Sequence, residues 1–77
     1  MDRLNFRQLE IFVAVVDAGS FTAAADRLYL AQSTVSDNIR ALEELLHIKL
    51  FRRESKRRLL LTSEGKRVYQ YAQDILA

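Results

Sequence analysis

Cysteine is absent from this chain, which excludes a disulfide framework and any thiolate metal site. Proline is absent too, and glycine occurs only at Gly19 and Gly65, so those two positions are the chain's main punctuation. The single histidine, His47, has no second histidine or thiol to complete a metal site and is read as a structural or surface residue. Ser33 and Ser36 have no histidine base in reach. Glu43 and Glu44 are adjacent on one predicted helix and do not face each other, so they are read as helix-surface residues. No enzyme, cofactor or metal is expected. No apolar run approaches the ~18 residues of a membrane span. The opening MDRLNFRQLE lacks the apolar stretch of a signal peptide, so a cytoplasmic protein without membrane attachment is expected.

What is present is enough for one small domain. The 77 residues are 49% hydrophobic and 29% charged, a balance that favours a packed core over disorder. A core of this size is marginal unless it packs efficiently or a partner adds to it. The net charge of +2 conceals a polarity along the chain. Residues 1–48 carry four basic and seven acidic side chains, a balance of −3. Residues 49–67 carry eight basic and two acidic side chains, a balance of +6, and residues 68–77 add −1. A positive field is therefore concentrated in one short segment.

Hydrophobic spacing predicts four helices and a ribbon. Leu9, Phe12, Val13 and Val16 form one stripe of a helix over about 5–18, which Gly19 ends. Ser20 caps a second helix over about 21–28, with Phe21, Ala24, Ala25 and Leu28 on one face. Residues 29–31 form a tight connection. A third helix covers about 32–46, with Val35, Ile39, Leu42 and Leu46 on its apolar stripe. Its leading surface is Gln32, Ser33, Thr34, Ser36, Asp37 and Asn38, short side chains that hydrogen-bond, where a helix tuned for solubility would carry Glu and Lys. Residues 49–62 read as a β-ribbon, with Leu50 and Phe51 opening one strand, Leu59 to Leu61 forming the other, and Arg52 to Arg58 filling the tip. Thr62 caps a fourth helix with Val68, Ala72 and Ile75 on one stripe and Tyr69 and Leu76 on another. Two apolar stripes running to Ala77 without a stop signal suggest a fragment whose last helix meets a partner.

Two short helices joined by a tight turn, the second with a polar leading end, describe a helix-turn-helix whose second helix fits the major groove of duplex DNA. Hydrogen-bonding side chains at its tip suit base edges. The basic ribbon supplies the sequence-independent attraction to phosphates, and the order of the two parts is that of a winged helix. The expected fold is α+β, mainly α: a winged helix-turn-helix with a three-helix core and a two-stranded wing over 1–62, then a dimerising linker helix from 63 to 77.

The chain resembles the N-terminal domain of LysR-type transcriptional regulators over nearly its whole length. The resemblance lies in Phe6-Arg7-Gln8-Leu9 with Phe12, in Gly19 to Ala25 with Leu28, and in Gln32 to Ser36 with Ile39 and Leu42-Glu43. It continues through Leu50-Phe51, Arg53, Leu61-Thr62 and Gly65. It implies that Gln32, Ser33, Thr34, Ser36 and Asp37 face DNA and that Thr22 touches a phosphate. Arg52, Arg53, Lys56, Arg57 and Arg58 of the wing would lie near phosphates or the minor groove. Arg40 either reaches DNA or pairs with Glu43 or Glu44. The resemblance also implies a homodimer through the linker helix, by Val68, Tyr69, Ala72, Ile75 and Leu76, a tetramer in the full-length parent, and a missing C-terminal domain that binds a small-molecule co-inducer.

Three departures from the family pattern bear on function. Asp37 stands where relatives often carry arginine, and a carboxylate there can accept from cytosine N4. His47 replaces a usual helix-ending glycine, and the wing is one residue longer than the commonest spacing. Competing readings are a winged helix that binds protein, an enzyme fragment, and a different regulator family such as the molybdate-responsive one. The basic wing argues against the first, because a protein-binding face exposes apolar anchors.

Overall fold

The computed structural model describes residues 4–55 and 58–77, with side chains of 53–58 left outside that description. The described residues form helices α1 (Phe6–Ala18), α2 (Phe21–Leu28), α3 (Gln32–Leu46) and α4 (Ser63–Leu76), and strands β1 (Phe51–Ser55) and β2 (Arg58–Leu61). The fold is mainly helical, as expected. Among the described residues, no helix is long and apolar enough to cross a membrane.

Local chemistry explains the boundaries. Asn5 and Gln8 form a capping box at α1: Gln8 N donates to Asn5 Oδ1 (2.8 Å) and Asn5 N donates to Gln8 Oε1 (3.2 Å). Two otherwise orphaned donors are thereby satisfied, and Gln8 can be buried. Gly19 ends α1 in the left-handed region (φ 83°). Ser20 Oγ then accepts from Ala23 N, so one residue pair both stops a helix and starts the next. Helices α2 and α3 end in the same way on residues that are not glycine. Tyr29 and His47 both sit at φ 57°, and the following amides, Leu30 N and Ile48 N, donate back to Ala25 O and Glu43 O. Leu30 and Ile48 fold onto the core, which completes the helix-ending motif and offsets the strain of a side chain at positive φ.

Helix α1 lies at the centre of the molecule and packs against α2, α3 and α4. Its buried apolar residues are Leu9, Ile11, Phe12 and Val15, beside the buried Gln8, while Val13 and Val16 are only half-buried. The stripe read from spacing was therefore rotated from the true core face. A helix covered on three sides buries an arc wider than a single stripe. Ala24 and Ala25 are buried on α2, where small side chains allow close approach to α1. Val35, Ile39 and Leu42 of α3, Leu50 before β1 and Ala72 of α4 complete the core.

The ribbon departs from expectation at its tip. Phe51 pairs with Leu61, Arg52 with Leu60 and Arg53 with Leu59, but the next pair is Ser55 with Arg58. Glu54 is the extra residue in a bulge. Arg52 and Arg53 thus belong to the body of β1, because pairing continues past them, and Arg58 belongs to β2. The added residue inferred from the wing's length is absorbed where the register shifts.

Candidate nucleic-acid interface

The end of α3 nearest the turn is turned out to solvent. Gln32, Ser33, Thr34 and Asp37 are exposed and Ser36 is half-buried, whereas Val35 and Ile39 between them lie in the core. The helical period separates the two sets cleanly: the polar positions share one face and the apolar ones the other. Asn38 donates from Nδ2 to Thr34 O (2.9 Å), and Ile39 takes the core place beside it. Among the described residues, α3 is the helix without a side-chain N-cap, since the Ala31 side chain has no acceptor to offer. Its first amides are left for solvent or an anion, at the positive end of the helix dipole.

Side-chain pairs organise this face. Thr22 Oγ1, on α2, donates to Gln32 Oε1 (3.3 Å) across the turn. Arg40 pairs with Asp37, Nη1 to Oδ1 at 3.4 Å, rather than with Glu43 or Glu44. Both members are well exposed, so the pair contributes little stability. It does set a positive charge beside the Asp37 carboxylate, which offsets the repulsion that a lone carboxylate would present to a phosphate-rich partner.

Glu43 has a role that sequence reading missed. Its Oε2 accepts the backbone N–H of Leu50 (2.8 Å), tying the root of the wing to α3. The helix and the wing then line one groove of about 280 Å³, with Ser36, Arg40 and Glu43 on one wall and Phe51 and Leu59 on the other. Phe51 anchors that wall by edge-to-face contacts with Phe12 (5.6 Å between centroids) and Phe21 (5.7 Å). Arg52, at the second position of β1, is exposed. Lys56 and Arg57 lie outside the described residues, as do the side chains of Arg53 and Arg58.

On the opposite side, α4 is held by a polar contact that sequence reading also missed. Tyr69 Oη donates to Asp17 Oδ1 (2.6 Å) and accepts from Gln73 Nε2 (3.1 Å), while its ring packs edge-on against Phe12. The bond to Asp17, helped by burial and the Asp17 charge, raises the Tyr69 phenol above its ordinary value, and Gln73 pulls it weakly the other way. A raised folded-state value means stabilisation present at neutral pH and lost as pH rises through that value. Melting temperatures of the wild type and Tyr69→Phe should therefore differ at neutral pH and converge as pH climbs beyond about 10. A gap independent of pH would show that the hydroxyl's bond to Asp17 adds nothing.

The five residues expected at a dimer face divide between two environments. Ala72 is fully buried in this chain's own core, so its surface is already spent. Tyr69, Val68 and Leu76 pack against the same core while remaining half-exposed. Ile75 is exposed, and Tyr71, not among the five, is exposed beside it on the helix. The reason is spacing: Tyr69, Ala72 and Leu76 share the stripe that meets α1, and Tyr71 and Ile75, four apart, share the other.

The family model described as "Bacterial regulatory helix-turn-helix protein, lysR family" matches residues 6–66. The chain is 47% identical over 74 residues to the HTH-type transcriptional regulator BenM of Acinetobacter baylyi, covering 96% of this chain and 24% of that protein. It is 43% identical, over the same shares, to the regulator CrgA of Neisseria meningitidis. The chain thus spans about a quarter of the length of these curated relatives. Among solved structures, a BenM DNA-binding domain in complex with its catB site 1 DNA superposes with a TM-score of 0.89 at 48% identity, covering 95% of this chain and 77% of that one. A complex of the CbnR DNA-binding domain with DNA gives 0.89 at 40% identity, covering 95% and 83%.

Proposed function

The chain belongs to the LysR family of bacterial helix-turn-helix regulators, and from that premise we propose that it binds specific sequences of duplex DNA for transcription regulation, docking as follows. Its relatives are transcriptional regulators, not enzymes. In the proposed complex α3 enters the major groove with Gln32, Ser33, Thr34, Ser36 and Asp37 toward base edges. Arg52, Arg53, Lys56, Arg57 and Arg58 of the wing lie along the backbone or minor groove. The observation that carries this reading is the solvent-facing polar tip of α3, on a helix whose next turns, through Ser36, Arg40 and Glu43, line one groove with Lys49, Phe51 and Leu59 at the root of the wing.

The same reading includes a homodimer on a two-fold related site. Tyr71 and Ile75 are the apolar residues that α4 offers to the α4 of a second copy, with the half-exposed rims of Val68, Tyr69 and Leu76 around them. Assembly into tetramers and response to a small-molecule co-inducer would reside in regions of the regulator outside these 77 residues, and the whole would act in the cytoplasm on the nucleoid.

Duplexes selected from a random pool, then measured by fluorescence anisotropy, test the docking. Affinity should fall with salt at a slope of about −0.9 in log K against log[salt] for each phosphate neutralised. Ser33→Ala or Thr34→Ala should change which bases are preferred, by about five- to tenfold at one position. Arg52→Ala should weaken binding to all sequences by a similar factor and make the salt slope shallower by about one. A flat salt response, or reader and anchor variants with indistinguishable profiles, would defeat the proposal.

A further inference from the structure

We propose that Thr22 is a positioning residue for base readout: its hydroxyl donates to Gln32 Oε1 and so presents the NH2 end of that amide to DNA. This rests on the docking proposed above. Thr22 is the second residue of α2 and Gln32 the first of α3; both are exposed, and the 3.3 Å bond between them spans the turn. No other side-chain bond bridges these two helices among the described residues.

A glutamine amide has two chemically opposite ends at nearly identical shape. Left free, it suits adenine, accepting from N6 and donating to N7 at once. The Thr22 hydroxyl occupies one of the two lone pairs on Oε1 and biases the amide toward one orientation. Once it gives its proton to Oε1, the oxygen faces α2, and the two Nε2 protons become the part of the side chain free to point outward. Two donors match a base that shows acceptors in the major groove, which means guanine N7 and O6 or thymine O4. The preference at the position read by Gln32 is thus decided by a residue on the preceding helix that need not touch the base.

The bond also competes with the phosphate contact that the family resemblance implies for Thr22. A hydroxyl has one proton. Given to Gln32, it cannot also be given to a phosphate oxygen. The two roles make opposite predictions. A phosphate anchor affects every sequence alike, whereas an orienting residue affects one base position and acts only through Gln32.

Selection from a random duplex pool should be run in parallel on wild type, Thr22→Val, Thr22→Ser, Gln32→Ala and the Thr22→Val/Gln32→Ala double variant, with melting temperature checked for each. The wild type should favour guanine or thymine at one position. Thr22→Val should shift that position about tenfold toward adenine. Thr22→Ser, which keeps the donor, should restore the wild-type preference. In the Gln32→Ala background, Thr22→Val should change the base ranking no further. Uniform weakening by Thr22→Val with the base ranking intact would overturn the proposal and make Thr22 an anchor. An unchanged ranking with unchanged affinity would overturn it too. If the wild type enriched no sequence at all, the docking itself would fall, a result distinct from either.

Discussion

Phe12→Ala should remove a large fraction of this domain's stability. Phe12 is completely buried on the central helix. Its ring meets Phe51 at the root of the wing and Tyr69 on α4, both edge-to-face, and Phe51 in turn meets Phe21 on α2. One side chain therefore couples four separate elements. Truncating a buried phenylalanine to alanine costs about 3–5 kcal/mol, because the lost transfer energy is joined by a cavity that a packed core cannot fully close. A domain of this length has roughly 4–12 kcal/mol in total at 0.05–0.15 kcal/mol per residue. The loss is thus a large fraction of the whole. Urea unfolding should show the midpoint collapsing with little change in slope, since the surface exposed on unfolding is nearly the same. Val13→Ala, one position along on the same helix and half-buried, should cost about 1 kcal/mol. If the two variants lost equal stability, the aromatic cluster would not be the centre of the core.

The contrast between Phe12 and Val13 also marks how far sequence alone could go. Helices α2 and α3 were legible to the residue, because Gly19, Ser20 and the turn at 29–31 are chemical stops and starts. Periodicity found α1 but set its core face partly wrong, because it assumes one buried stripe and α1 is covered on three sides. The exposed polar face of α3 was legible because residue type there disagrees with solubility: Gln32, Ser33 and Thr34 stand where charge would be expected on an exposed helix. What could not be read were the pairs distant in sequence. Glu43 looked like a surface carboxylate until the Leu50 amide was found on it, and Asp17 and Tyr69 meet across 52 residues. Thr22 and Gln32 belonged to the same expected interface, but nothing in their spacing announces a bond between them. Of the arginines assigned to the wing tip, Arg52 and Arg53 lie in β1 and Arg58 in β2, because strand pairing runs on past them, a feature that depends on register and not on composition.

Gly65→Ala tests the junction through which the wing and α4 share the core. On an exposed helix this substitution would stabilise by up to about 1 kcal/mol, because alanine is the better helix former. Here the opposite is expected. A Cβ at position 65 would lie 2.2 Å from Leu50 O, 3.1 Å from Leu50 C and 3.0 Å from Leu61 Cδ2. Two of those three atoms are backbone and cannot turn aside. Relief requires α4 to lift from the segment before β1, and that segment is where Thr62 is pinned: Thr62 N donates to Leu50 O (3.0 Å), and its hydroxyl donates to Lys49 O while accepting the Gly65 amide. Overpacking costs about 1–3 kcal/mol in a yielding core and more where backbone must move. Losing part of the Thr62 cap adds about 1 kcal/mol. The net loss should be about 3 kcal/mol, or a fall of about 10–20 °C in melting temperature for a domain of this size. Because the displaced segment carries the wing root, DNA affinity should fall even at temperatures where the variant is folded, and for all sequences together. A variant as stable as the wild type or more so would mean that α4 and the wing root do not approach as closely as 2.2 Å implies, and the rigid link between the wing and α4 would be lost with that approach.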